Sequence, residues 1–158
     1  NSILDLNRRD ADVAIRPTLH PDPNLVSRRL CDVDFAVYAA ADYVEAATPG
    51  SIVDGRWIGF VDSLVATPVG NWFEKTIDAD KICMRCDSFV AVRVAAESGI
   101  GLALLPSFLG DASRILTRLE FPTDELTTGL WILTHSDLAR SARVHAFMDH
   151  FSEALGSP

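Results

Sequence analysis

DLNRRDADVAIR, residues 5–16, joins a charged segment directly to a short apolar run that ends in an arginine. The charged part, residues 5–10, predicts one helical turn at the surface. Val13, Ala14 and Ile15 are too few for a helix and fit a buried parallel strand. Such a strand needs a neighbour on each side, and the residues before it leave almost no room for a preceding strand. The stretch therefore predicts a sheet that the chain enters part-way through its fold.

The rest of the chain alternates predicted strands with predicted helices. Residues 16–24, RPTLHPDPN, contain three prolines and predict an exposed loop at the end of the first strand. Apolar runs predict further strands at residues 57–61, 82–86, 101–105 and 130–134. Helical spacing of apolar residues predicts helices at 89–97 and 139–155. This alternation predicts an α/β fold with mostly parallel sheets.

Composition and charge restrict the class of protein. With 158 residues and 48% hydrophobic content, the chain can bury a sizeable core. No run approaches the ~18 apolar residues of a membrane span, and no secretory signal is visible, so we expect a cytoplasmic protein without a membrane partner. The net charge is −8, and such a field repels a phosphate backbone. We therefore expect no DNA binding by this chain alone.

The cysteines and the missing catalytic motifs argue against an enzyme. Cys31, Cys83 and Cys86 are an odd number, and the CMRC spacing has two interpretations, a redox pair or two cysteines in a strand. We favour the strand, because a thioredoxin-like site would place its first cysteine at a helix start. No histidine has zinc-finger spacing to these cysteines, and neither a G-x-S-x-G elbow nor an H-E-x-x-H motif is present. We predict no catalytic residues, no metal and no cofactor.

Five segments in order resemble the effector-binding domain of LysR-type transcriptional regulators. They are the opening stretch, SRRLCDVDFAVYAAADYV at 27–44, RWIGFVD at 56–62, AAESGIGLALLP at 95–106 and LWILTHSDLARSARVHAFMDHF at 130–151. The likeness covers nearly the whole chain. It departs from the family at the front, where a complete regulator would carry a winged helix-turn-helix, a linker helix and the first elements of the effector domain.

The resemblance implies a two-subdomain fold of the type II periplasmic-binding-protein kind, with the first subdomain incomplete. Residues 1–34 and 123–158 would form the first subdomain, and residues 35–122 the second. An unidentified small-molecule effector would bind in the cleft between them. The parent protein would be a homodimer or homotetramer, and it would contact DNA only through its N-terminal domain.

The first group of candidate effector-binding residues is Arg16, Pro17 and Thr18, which follow the opening strand. Ligands in open parallel sheets bind beyond the carboxyl ends of strands. The Arg16 guanidinium is suited to a carboxylate, and the Thr18 hydroxyl adds a hydrogen bond. The alternative, given equal weight, is that Arg16 pairs at the surface with Asp10 or Asp12.

The second group is Val61, Asp62 and Ser63, after the strand at 57–61, where the family's second subdomain meets its effector. Asp62 and Ser63 are also common helix caps. The third candidate is Ser88, at the start of a predicted helix, for which capping is the favoured role. Basic Arg16 opposite acidic Asp62 would suit a ligand with both charges.

Two functions remain open from the sequence. The first is an effector-sensing domain that changes the geometry of a regulator's dimer or tetramer when its ligand binds. The alternative is a stand-alone solute-binding protein or an enzyme on the same fold. The internal motifs favour the regulator.

Overall fold

The computed structural model describes residues 11–18, 20–46, 52–61, 64–123 and 126–155. The predicted helical turn at 5–10 lies outside these ranges, as do Asp62 and Ser63. Within them the chain forms eight strands: β1 (Val13–Thr18), β2 (Leu25–Val33), β3 (Phe35–Ala40), β4 (Trp57–Phe60), β5 (Ile82–Cys86), β6 (Leu102–Pro106), β7 (Leu116–Leu119) and β8 (Thr128–His135).

Five α-helices occur in the same described ranges: α1 (Ala41–Ala46), α2 (Pro68–Thr76), α3 (Phe89–Glu97), α4 (Ser107–Gly110) and α5 (Ala142–Leu155). Short 3-10 turns lie at Ile52–Asp54 and Ala79–Lys81. Helix α3 has the predicted bounds. It begins after Ser88, whose hydroxyl accepts a hydrogen bond from the Ala91 N–H, and Gly99 follows it with φ +71°.

The chain divides into two compact units. The central unit runs from Asp34 to Leu126, and the terminal unit combines the described residues before Asp34 with those after Leu126. The correspondence of these units to two effector subdomains stays a prediction.

The terminal unit is built on a three-stranded sheet in the order β1-β8-β2, with both pairings antiparallel. The expectation of a buried parallel strand at 13–15 is therefore wrong. Strand β1 lies at an edge of the described sheet and is only partly buried, with Ile15 38% exposed. It also continues through Pro17 to Thr18, where a loop was predicted. Proline is tolerated at an edge because its missing N–H need not pair with a second neighbour.

The central unit contains a five-stranded mixed sheet in the order β5-β4-β6-β3-β7. Strand β4 pairs parallel with β5 and β6, whereas β3 pairs antiparallel with β6 and β7. The predicted α/β class is confirmed. The expected predominance of parallel pairing is wrong for the described strands, because four of their six pairings are antiparallel.

Each unit has its own apolar core. In the central unit the rings of Trp57, Phe60 and Phe73 are fully buried and lie in edge or tilted contact, with centroids 4.9–5.8 Å apart. In the terminal unit, Ile132 of β8 packs with Val144 and Met148 of α5.

Candidate functional site

The carboxyl ends of four strands lie at one edge of the central sheet. Strands β4, β5 and β6 run in the same direction, so Phe60, Cys86 and Pro106 end at a common edge. Strand β7 is antiparallel to β3, which is antiparallel to β6, so β7 ends at this edge too. We call it the ligand edge, because open sheets bind ligands beyond the carboxyl ends of their strands.

Val61 and Ser88 lie on the ligand edge. The Val61 N–H donates to the Cys86 carbonyl at 3.0 Å, which extends the pairing of β4 and β5 by one residue. The Ser88 hydroxyl oxygen lies 3.3 Å from the Ala91 nitrogen, so the predicted capping role is observed. A further role for Ser88 in binding an effector stays a prediction.

Arg16, Pro17 and Thr18 belong to the terminal unit and lie within β1, so Arg16 does not follow the strand as expected. Arg16 is half-buried and forms no ion pair with any described residue, Asp12 included. Thr18 already has local partners: its hydroxyl donates to the His20 carbonyl at 3.0 Å, and its own carbonyl accepts from Trp131 Nε1 at 3.1 Å. Only Thr18 ends the strand.

A cavity of about 600 Å³ lies at the β3–β7 end of the ligand edge. It is lined by Ala36 at the start of β3 and by residues 118–123, which include the end of β7. The sequence predictions did not include it. The available signal was a pair of opposite charges two residues apart, Arg118 within β7 and Glu120 just after it.

Arg118 is the cation of this cavity. Its Nη1 lies 3.9 Å from Asp111 Oδ2, beyond hydrogen-bond distance, and its side chain is 56% exposed. The other oxygen of that carboxylate accepts a hydrogen bond from the buried Tyr38 hydroxyl at 2.7 Å. Burial first, and then this hydrogen bond to Asp111, raise the pKa of Tyr38 to about 12. Asp111 is therefore held by Tyr38, and Arg118 keeps donors available to a ligand.

The cysteines lie in a strand, as favoured. Cys83 and Cys86 both belong to β5, where a spacing of three puts them on opposite faces, and Cys83 is exposed while Cys86 is buried. Burial, followed by the charge of Asp87, raises the pKa of the Cys86 thiol. This geometry disfavours a disulfide or an activated thiolate. Among the described residues, no group of three or more His, Cys, Asp or Glu side chains is arranged to hold a metal ion.

The family is decided by the match of the LysR substrate binding domain model to residues 1–156. This chain belongs to that family. Solved LysR-type regulators have the same architecture as this LysR substrate binding domain. The regulatory domain of CrgA from Neisseria meningitidis is 26% identical with a TM-score of 0.80, and the match covers 99% of this chain and 81% of that one.

Two further structures extend the comparison. Another CrgA structure from Neisseria meningitidis is 27% identical to this LysR substrate binding domain with a TM-score of 0.77, covering 96% of this chain and 55% of that one. The regulatory domain of CcmR from Synechocystis, in complex with 2-PG, shares the fold at 17% identity with a TM-score of 0.74. That match covers 95% of this chain and 76% of the CcmR chain. No curated protein sequence matches the chain significantly. In its described part, this domain has no helix that is both long and apolar enough to cross a membrane.

Proposed function

We propose that this domain senses a small-molecule effector for a LysR-type transcriptional regulator in the cytoplasm. The observation that carries the proposal is the ligand edge in a chain of this family, where four strands end and a cavity lies beside the end of β7. The complex of the CcmR regulatory domain, a relative in fold, with 2-PG supports the binding of a small molecule by this fold.

The proposed mechanism uses both units. A ligand shifts a conformational equilibrium only by its difference in affinity for the two states, so an effector that changes the regulator must contact groups that move relative to one another. We assign Arg16, Pro17 and Thr18 of the terminal unit as effector contacts. We assign Val61, Asp62, Ser63 and Ser88 of the central unit to the same role.

The parent regulator converts this binding into a change in its homodimer or homotetramer. DNA contact belongs to its N-terminal domain. We expect the domain to bind its effector without reacting with it, because the sequence holds no nucleophile motif.

Arg16 offers the test of this proposal. Its guanidinium forms no ion pair with a described residue, and a charged hydrogen bond contributes about 1.5–3 kcal/mol, which corresponds to roughly 10-fold to 150-fold in affinity. In the full-length regulator, Arg16→Ala should raise the effector concentration for half-maximal transcription by about that factor.

Arg140→Ala is the matched control, because Arg140 is an exposed arginine of the same unit, in the turn before α5. It should leave the response unchanged. If Arg16→Ala also leaves the effector concentration for half-maximal transcription unchanged, Arg16 does not contact the effector and the assignment is wrong.

A further inference from the structure

The cavity formed by Ala36 and residues 118–123 carries an inference about the class of effector. We propose that it binds an amino acid with an apolar side chain, its carboxylate on Arg118 and its ammonium on Glu120. The inference rests on the proposed sensing function and adds the ligand class. The described residues that line the cavity belong to the central unit, so they would supply the central-unit contacts of the effector.

Arg118 supplies the anion-binding group. A guanidinium presents five N–H donors in a planar fork that matches a carboxylate. Its 3.9 Å approach to Asp111 is an ion pair without a hydrogen bond, and no other described residue pairs with it. Because this approach is longer than a hydrogen bond, a ligand carboxylate would meet guanidinium donors that no described residue accepts from.

Glu120 supplies the opposite charge. It lines the same cavity two residues after Arg118, and its carboxylate has no hydrogen bond or ion pair with any described residue. A simple organic acid would meet Arg118 but would be repelled by Glu120. A ligand that carries a carboxylate and an ammonium group complements both residues, so the charge pattern favours a zwitterion over an acid or an amine.

The remaining lining sets the side chain of the ligand. Ala36, Phe121 and Pro122 offer apolar surface beside the two charges. The Phe121 ring is held by edge contacts with Trp57 and Trp72, whose ring centroids lie 5.6 and 6.1 Å away. A volume of about 600 Å³ lies within the ~300–1,000 Å³ typical of small-molecule sites. A bulky apolar side chain would therefore fit against Phe121.

Calorimetric titration of the 158-residue chain tests the inference with three compounds that share a phenylethyl group and differ in their charged groups. L-Phenylalanine carries both charges, 3-phenylpropanoate lacks the ammonium group and 2-phenylethylamine lacks the carboxylate. We expect saturable binding of L-phenylalanine, at least about tenfold tighter than either analogue, because each lost pair is a charged hydrogen bond.

Two variants separate the contributions of the charges. Arg118→Gln should weaken the binding of L-phenylalanine and 3-phenylpropanoate about tenfold or more and leave the binding of 2-phenylethylamine unchanged. Glu120→Gln should weaken the binding of L-phenylalanine and 2-phenylethylamine and leave that of 3-phenylpropanoate unchanged. Arg114→Gln removes an exposed arginine outside the cavity and should alter none of the three affinities.

The inference is overturned if wild-type chain binds none of the three compounds, or binds 3-phenylpropanoate as tightly as L-phenylalanine. It is also overturned if Arg118→Gln and Glu120→Gln keep the wild-type circular dichroism spectrum and yet weaken the binding of all three compounds equally. Transcription that responds to another class of effector, with no binding of these compounds, would reject the ligand class and leave the sensing function standing.

Discussion

At Gly70, in the first turn of α2, an added Cβ would collide with the Leu64 carbonyl oxygen and lie 2.7 Å from the Val65 Cα. Backbone atoms cannot move aside as the end of a flexible side chain can. At Gly99 an added Cβ would have space, since nothing lies within 4 Å of its position. The φ of +71° nevertheless disfavours any residue with a side chain. The two glycines are required for different reasons.

We therefore predict that Gly70→Ala lowers the free energy of unfolding more than Gly99→Ala does. The second change should cost about 1 kcal/mol, the conformational cost of a left-handed alanine. The first should cost about 2–3 kcal/mol or more, as expected for overpacking against backbone. Urea unfolding of both variants measures the difference, and the reverse order would contradict the packing around α2.

Tyr38 predicts an alkaline dependence of stability. Burial and the hydrogen bond to Asp111 raise its pKa from 10 to about 12, so the folded state favours the neutral phenol. This contribution is fully present below pH 10 and is lost as the pH rises from 10 to about 12. Across that range, wild-type protein should lose unfolding free energy faster than Tyr38→Phe. Parallel stability curves for the two proteins would show that the phenol does not titrate as described.

At the scale of elements, α5 shows which part of an apolar stripe is core. The sequence places Val144, Phe147, Met148, Phe151 and Leu155 at helical spacing. Only Val144 and Met148 are buried, whereas Phe147 and Leu155 are 43% and 42% exposed. The helix therefore packs on the terminal sheet through a narrow face that includes Met148, which contacts the cluster around Ile132 of β8.

We predict that Met148→Ala lowers the free energy of unfolding by about 2–4 kcal/mol, because it removes a buried side chain and leaves a cavity. Phe147→Ala is the contrasting variant from the same helix. It should cost about 1 kcal/mol or less, since Phe147 chiefly contacts the Phe151 ring, 4.6 Å away. Guanidinium unfolding of the two variants is the measurement. A larger loss in Phe147→Ala would mean that the other face of α5 is the packed one.

At the scale of the whole molecule, charge predicts the behaviour of the chain toward nucleic acid. Its 22 acidic and 14 basic residues give a net charge of −8, which opposes association with a phosphate backbone. We expect no sequence-specific DNA binding by this chain even at low salt, where electrostatic attraction would be strongest. A mobility-shift titration tests this, and retardation of one duplex in the presence of scrambled competitor would contradict it.

The sequence by itself determined the features that depend on a few neighbouring residues or on composition. Ser88 and Gly99 bound α3 as predicted, because capping and a left-handed glycine act within a few residues of chain. The alternation of strands and helices predicted the α/β class, and the ordered motifs identified the family. The charge also followed from composition alone.

Strand direction was decided only by the tertiary structure. An apolar run encodes a strand but not the direction of its partner, and β1 pairs with β8, more than a hundred residues away. The cavity has the same origin: Ala36 joins residues 118–123 because β3 and β7 are neighbours in the sheet. Arg118 and Glu120 were visible as charges in the sequence, but their shared cavity depends on that long-range pairing.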